Sequence, residues 1–124
     1  MKSFENLQQN LANYTPLSPL SFLKRAADVY PELPAVVHGS RRYTWGQTYE
    51  RCVRLASALS GLGVSSGDTV SIIAPNIPET FEAHYGVPMC GGVLNAINTR
   101  LDACLLYTSP SPRDATLSRM PSSA

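Results

Sequence analysis

The sequence predicts an α/β fold, and three observations carry the prediction. Thr69–Ala74 is a short apolar, β-rich segment, a helix start follows around Pro78, and Val93–Ile97 is a second apolar segment. Strand, helix and strand in that order make a right-handed βαβ crossover. Upstream, Ala35–His38 and Arg41–Thr44 flank Gly39-Ser40, the pattern of a β-hairpin. Between these units, Cys52, Leu55, Ala56, Leu59 and Leu62 recur at three- and four-residue spacing, marking an amphipathic helix.

Each element has a local cause. Phe4, Leu7, Leu11 and Tyr14 stand at helical spacing, so residues 1–17 read as an amphipathic arm that would be marginal alone but could dock on a larger body. Thr15–Pro19 is a Pro-rich break. Ser18 then serves as an N-cap with Pro19 at the first helical position, and Leu20, Leu23 and Ala27 form one apolar face before Pro31 ends the helix. Thr44 and Gln47 have capping-box spacing at the start of the next helix, which Gly61 and Gly63 end. Gly67-Asp68 is a turn, and Thr69–Ala74 reads as a strand buried on both faces. Pro75 stops it. Asn76 and Glu79 have cap and third-position spacing, opening a helix with Phe81, Tyr85 and Met89 on one side, and Gly91-Gly92 closes it.

The character changes at about Cys104. Thr108–Ala124 contains five Ser and three Pro and no aromatic residue, a composition that cannot pack. Its wording resembles translated adaptor sequence, a scar outside the fold; a Ser-Pro phosphorylation tail is the functional alternative. The chain thus divides into an arm, 1–17, a partial domain, 18–103, and a tail, 104–124.

Composition excludes several classes. The 124 residues are 44% apolar and 15% charged, with 10 basic against 9 acidic side chains. That balance suits one small folded domain, and gives no basic excess for nucleic acid. No apolar run is long enough to span a bilayer, and the first residues lack the apolar core of a secretory signal. Cys52, Cys90 and Cys104 are an odd, widely spaced set without a zinc-ligand pattern, which fits the reducing cytoplasm. The sequon at Asn13-Tyr14-Thr15 is then a chance match.

No catalytic, cofactor-binding or metal site is expected on these residues. Gly61–Gly67 follows a helix and precedes a strand, the reverse of a phosphate-cradling loop. The loop Ala74–Glu79 leaves the carboxyl end of a strand, where ligands of open α/β sheets collect, but Asn76 reads as a cap and Glu79 already occupies the positive field of the helix start. Arg41 and Arg42 point to opposite faces of a strand and read as solvated charge. His38 and His84 lack companions at ligand spacing, and Ser57, Ser60 and Ser71 lack a nucleophile-elbow setting.

Arg42-Tyr43-Thr44-Trp45, Gly61-Leu62-Gly63, Gly67-Asp68-Thr69-Val70, Pro75-Asn76-Ile77-Pro78-Glu79, and Gly92 leading to Asn98-Thr99-Arg100-Leu101 occur here in a telling order and spacing. Together they resemble the N-terminal region of AMP-forming acyl-CoA ligases of the adenylate-forming superfamily. The resemblance covers about residues 11–103, and Pro16–Ala58 is most similar to the branch acting on short, medium or sulfur-containing acids. It implies an incomplete part of the large N-terminal domain of such enzymes. It also implies a parent that uses ATP, Mg2+ and CoA to convert a small carboxylic acid into an acyl-adenylate and then a thioester. The family's Ser/Thr/Gly-rich phosphate loop, adenine-binding word, ribose-binding Asp and catalytic Lys have no counterpart in the 124 residues, so the chain reads as an inactive fragment. A small non-catalytic interaction module with a Ser/Pro-rich tail is the alternative.

Overall fold

The computed structural model describes residues 10–101, so residues 1–9 of the amphipathic arm and the whole of the Ser/Pro tail lie outside the described residues. The chain runs α1 (Pro19–Val29), β1 (Pro34–His38), β2 (Arg41–Thr44), α2 (Trp45–Gly61), β3 (Thr69–Ile73), α3 (Pro78–Met89) and β4 (Val93–Ile97). The α/β class and the order of these elements are those the sequence predicts.

Local chemistry sets the boundaries. Ser18 is the N-cap of α1, its Oγ accepting the Leu20 N–H at 3.3 Å, with Pro19 in the first turn. β1 and β2 pair antiparallel with His38 opposite Arg41 and Val37 opposite Arg42, and Gly39 takes φ 59° at the reversal. The capping box of α2 is complete: Gln47 N–H donates to Thr44 Oγ1 at 3.3 Å, and Thr44 N–H donates to Gln47 Oε1 at 3.0 Å. β3 and β4 are parallel, Thr69 opposite Val93 through Ile73 opposite Ile97, joined by α3 as the crossover.

The core sits where the three helices meet. Leu23 of α1, Cys52 of α2, and Ala83 and Val87 of α3 are buried. α2 and α3 approach closely because Gly86 has no side chain: a Cβ there would stand 2.7 Å from Leu55 Cδ2. Thr48 of α2 is also buried, and its Oγ1 has no hydrogen-bond partner among the described residues. A buried hydroxyl without a partner is destabilising, so Thr48→Val should raise the urea midpoint, by about 1 kcal/mol in free energy.

Four expectations are corrected. Residues 11–13 form a turn closed by Tyr14 N–H to Asn10 O at 3.0 Å, so the described part of the arm is not helical, and Leu11 is fully exposed. β3 is not buried on both faces: it alternates, with Thr69, Ser71 and Ile73 exposed, because α3 covers one side only. On the open side Asn95 Nδ2 donates to Ser71 Oγ at 3.2 Å. The N-cap of α3 is Ile77, not Asn76, and it makes no side-chain cap bond. Pro78 disfavours helical geometry in the residue before it, and Ile77 is extended at φ −118°, ψ 165°. Finally, the buried stripe of α3 is Pro78, Glu82, Ala83, Gly86 and Val87, while Phe81, Tyr85 and Met89 are half-buried on its flank. Small residues permit the close helix packing, and the aromatic pair, centroids 5.2 Å apart, lies beside it.

Candidate functional site at the start of α3

The loop between β3 and α3 separates two open grooves, each of about 600 Å3. One lies between β1 and α3, with Val36 and His38 on one wall and Ile77, Phe81, His84 and Tyr85 on the other. The second lies at the carboxyl ends of β3 and β4, with Pro75, Asn98, Thr99 and Arg100 among its lining. Asn76, Thr80 and His84 border both. His38 and His84, unrelated by sequence spacing, therefore share one groove.

The loop is stitched to the first turn of its own helix. Ile77 N–H donates to Pro75 O at 2.8 Å, and Thr80 Oγ1 donates to the same carbonyl at 2.7 Å. His84 Nδ1 stands 2.7 Å from Thr80 O. A carbonyl only accepts, so Nδ1 carries the proton and the neutral ring keeps its lone pair on Nε2.

Behind the loop is a cluster of charges and one ring. Arg41 donates to both carboxylate oxygens of Glu79, through Nη2 to Oε1 and through Nη1 to Oε2 at 3.3 Å, and to the Tyr43 hydroxyl from Nη2 at 3.0 Å. Arg51 of α2 pairs with Glu82 through Nε at 2.5 Å and Nη2 at 3.1 Å, lies 3.9 Å from Glu79, and sits 4.6 Å from the Tyr43 ring centroid. Arg41 is therefore not the solvated charge its sequence context suggests. Arg42, next in β2, is exposed as expected.

The pairing shifts the acid and base strengths. Hydrogen bonds from Arg41, and from Glu79's own N–H, hold the Glu79 carboxyl below its ordinary value of 4.5, and the Arg41 guanidinium is strengthened as a base by Glu79 and Tyr43. Glu82 does the same to Arg51. Because the folded pKa of Glu79 is depressed, its contribution to stability is present above the ordinary carboxylate range and is lost as pH falls through the folded value. Arg41→Gln should accordingly let the Glu79 carboxyl rise toward its ordinary value, read from its carboxyl signal in an NMR titration. Cys52 lies against Glu82, its thiol donating to the Glu82 carbonyl at 3.7 Å, and burial pushes it up to about 11. It remains protonated at neutral pH.

The glycine-rich run after α2 is a helix end and turn: Val64 N–H returns to Leu59 O at 3.0 Å, and Gly67 N–H donates to Gly91 O at 3.0 Å. It presents no anion cradle. Among the described residues no three His, Cys, Asp or Glu gather at metal-binding distance, and no helix is long and apolar enough to cross a membrane. Neither groove carries an acidic residue or a glycine-rich loop, so the described residues do not by themselves fit a magnesium nucleotide. Spacing could not reveal the Arg41–Glu79 contact, which joins residues 38 apart.

Comparison with known proteins places these features. Residues 23–106 match the family described as AMP-binding enzyme. The chain is 59% identical over 102 residues to a peroxisomal acetate/butyrate–CoA ligase of Arabidopsis thaliana, covering 82% of this chain and 18% of that enzyme. It is 53% identical to an acetate–CoA ligase of Humulus lupulus, with the same coverage of each chain. A fatty acyl CoA synthetase of Mycobacterium tuberculosis superposes with a TM-score of 0.69 at 35% identity, over 73% of this chain and 18% of that one. The chain thus spans under a fifth of the length of the curated relatives it matches. The fold, the hairpin and crossover order, and these matches together show that the chain belongs to the AMP-binding enzyme family, an enzyme family whose named relatives include CoA ligases.

Proposed function

We propose that this chain is N-terminal sequence of an ATP- and CoA-dependent ligase that activates a small carboxylic acid as its acyl-adenylate and transfers the acyl group to CoA. The observation that carries the reading is the 59% identity to an acetate/butyrate–CoA ligase across the whole hairpin, helix and crossover region. Other relatives are named for benzoate and for trans-cinnamate, so the common substrate chemistry is a carboxylate on a compact apolar body. ATP supplies the adenylyl group, Mg2+ neutralises its phosphates, and CoA supplies the accepting thiol.

The chain's own residues contribute scaffold rather than chemistry. The βαβ unit sets a helix start at the carboxyl end of a parallel sheet, the customary ligand side of such sheets, while the family's phosphate loop and catalytic Lys words are not among the 124 residues. The 124-residue chain alone is therefore inactive in this reading. The cytoplasm is the compartment its free thiols suggest, and the peroxisome is the one named for several relatives.

The test is ATP–pyrophosphate exchange with acetate, butyrate and benzoate. The chain alone should give none. A chimera in which it replaces the matching segment of the Arabidopsis acetate/butyrate enzyme should restore exchange and form acyl-CoA. Exchange by the isolated chain would overturn the inactivity, and a folded but inert chimera would overturn the ligase reading.

A further inference from the structure

The apolar groove between β1 and α3 has walls on two separate elements, the hairpin and the start of α3. Among the described residues, the only side-chain hydrogen bonds joining hairpin to α3 are those from Arg41 to Glu79. The donor is itself held: Arg41 Nε and Nη2 both donate to the Tyr43 hydroxyl, at 3.2 and 3.0 Å. Arg51 lies over the Tyr43 ring and within 3.9 Å of Glu79, so α2 braces the same junction. Glu79 stands in the first turn of α3, whose start has no side-chain cap bond and whose loop is hydrogen-bonded within itself and to that turn.

We infer that Arg41 is a positioning residue: its forked contact with Glu79 sets the spacing of the groove walls and the placement of the Ala74–Ile77 loop that separates the two grooves. A guanidinium fork meeting both carboxylate oxygens fixes orientation as well as distance, which a point charge does not. Tyr43 holds the fork in register, and the partly exposed pair leaves overall stability to the helical core. This positioning concerns the grooves next to the proposed ligase site and rests on that reading only for its use to the enzyme. The contact itself is tested without substrate.

The experiment is amide hydrogen exchange on the 124-residue chain, comparing the parent with Arg41→Gln and Arg41→Lys. In Arg41→Gln the Thr80 and Phe81 amides, which close the first turn onto Ile77 O at 3.0 and 3.3 Å, should exchange about tenfold faster. The amides of Leu55–Leu59 in the core of α2 should not change. Lys should restore little of the protection, because a point charge does not reproduce the fork. Equal acceleration in α2 would show Arg41 to be merely stabilising and would overturn the inference, as would unchanged exchange at Thr80 and Phe81 or full restoration by Lys. Ligase activity, or its absence in a chimera, has no bearing on these rates, so failure of the two readings is distinguishable.

Discussion

Arg51→Met should lower the stability of the chain by about 3 kcal/mol, the low end of what stranding one member of a buried ion pair costs. The Glu82 side chain is only 8% exposed, packed between α2 and α3, while Arg51 is 34% exposed. Removing the cation leaves a carboxylate with two lost charge-assisted hydrogen bonds and little access to water. The half-open position of Arg51 lets water reach one edge, which keeps the effect from the top of the range. Arg51→Met/Glu82→Leu should recover most of the loss, since an apolar pair removes the stranded charge along with its partner. Urea denaturation of the three proteins measures it, and a double variant as unstable as Arg51→Met would mean that packing around Arg51, not the orphaned carboxylate, sets the cost.

Gly86→Val should be comparably damaging, at about 3 kcal/mol for forcing bulk into a filled interior. Its Cβ would lie 2.7, 2.9 and 3.0 Å from Leu55 Cδ2, Cγ and Cβ. The tip of a leucine can turn aside, but its Cβ is fixed to the backbone of α2, so relief requires α2 and α3 to separate. Leu55→Ala in the same chain removes two of the three obstructing atoms. The double variant should therefore cost less than the sum of the single ones, and strict additivity in the urea midpoints would show that the helices part for another reason.

What was legible in the sequence was whatever depends on neighbours in the chain. Ser18-Pro19 and the Thr44/Gln47 box act over three residues, and both helices begin where those words stand. The family resemblance likewise rested on an ordered set of local words, and the match over residues 23–106 bears it out. Asn76 misled because a proline two residues on moves the cap to Ile77, a steric rule stronger than the preference of asparagine for caps. Hydrophobicity alone points to the wrong face of α3, because Phe81 and Tyr85 are more apolar than Gly86 and Glu82. Yet the small residue lets α2 in, and the charged one is neutralised by Arg51 from 31 positions upstream. The apolar content of β3 suggests cover on both faces, but Thr69 and Ser71 already carry the alternation of a strand with one open side.

The two sheets differ in how they can come into being. In the hairpin, His38 and Arg41 are three positions apart and each further pair closes a slightly larger loop, so pairing can zip outward from Gly39. In the parallel pair every partner is 24 positions from its mate, from Thr69 with Val93 to Ile73 with Ile97. No pair is entropically cheaper than the next, and the first contact faces a loop eight times longer, a difference of about 2 kcal/mol in closure entropy. The parallel sheet thus has no turn from which to grow, and its pairing waits on α3 folding and docking against α2. Loop closure alone therefore favours contact within the hairpin over contact between β3 and β4.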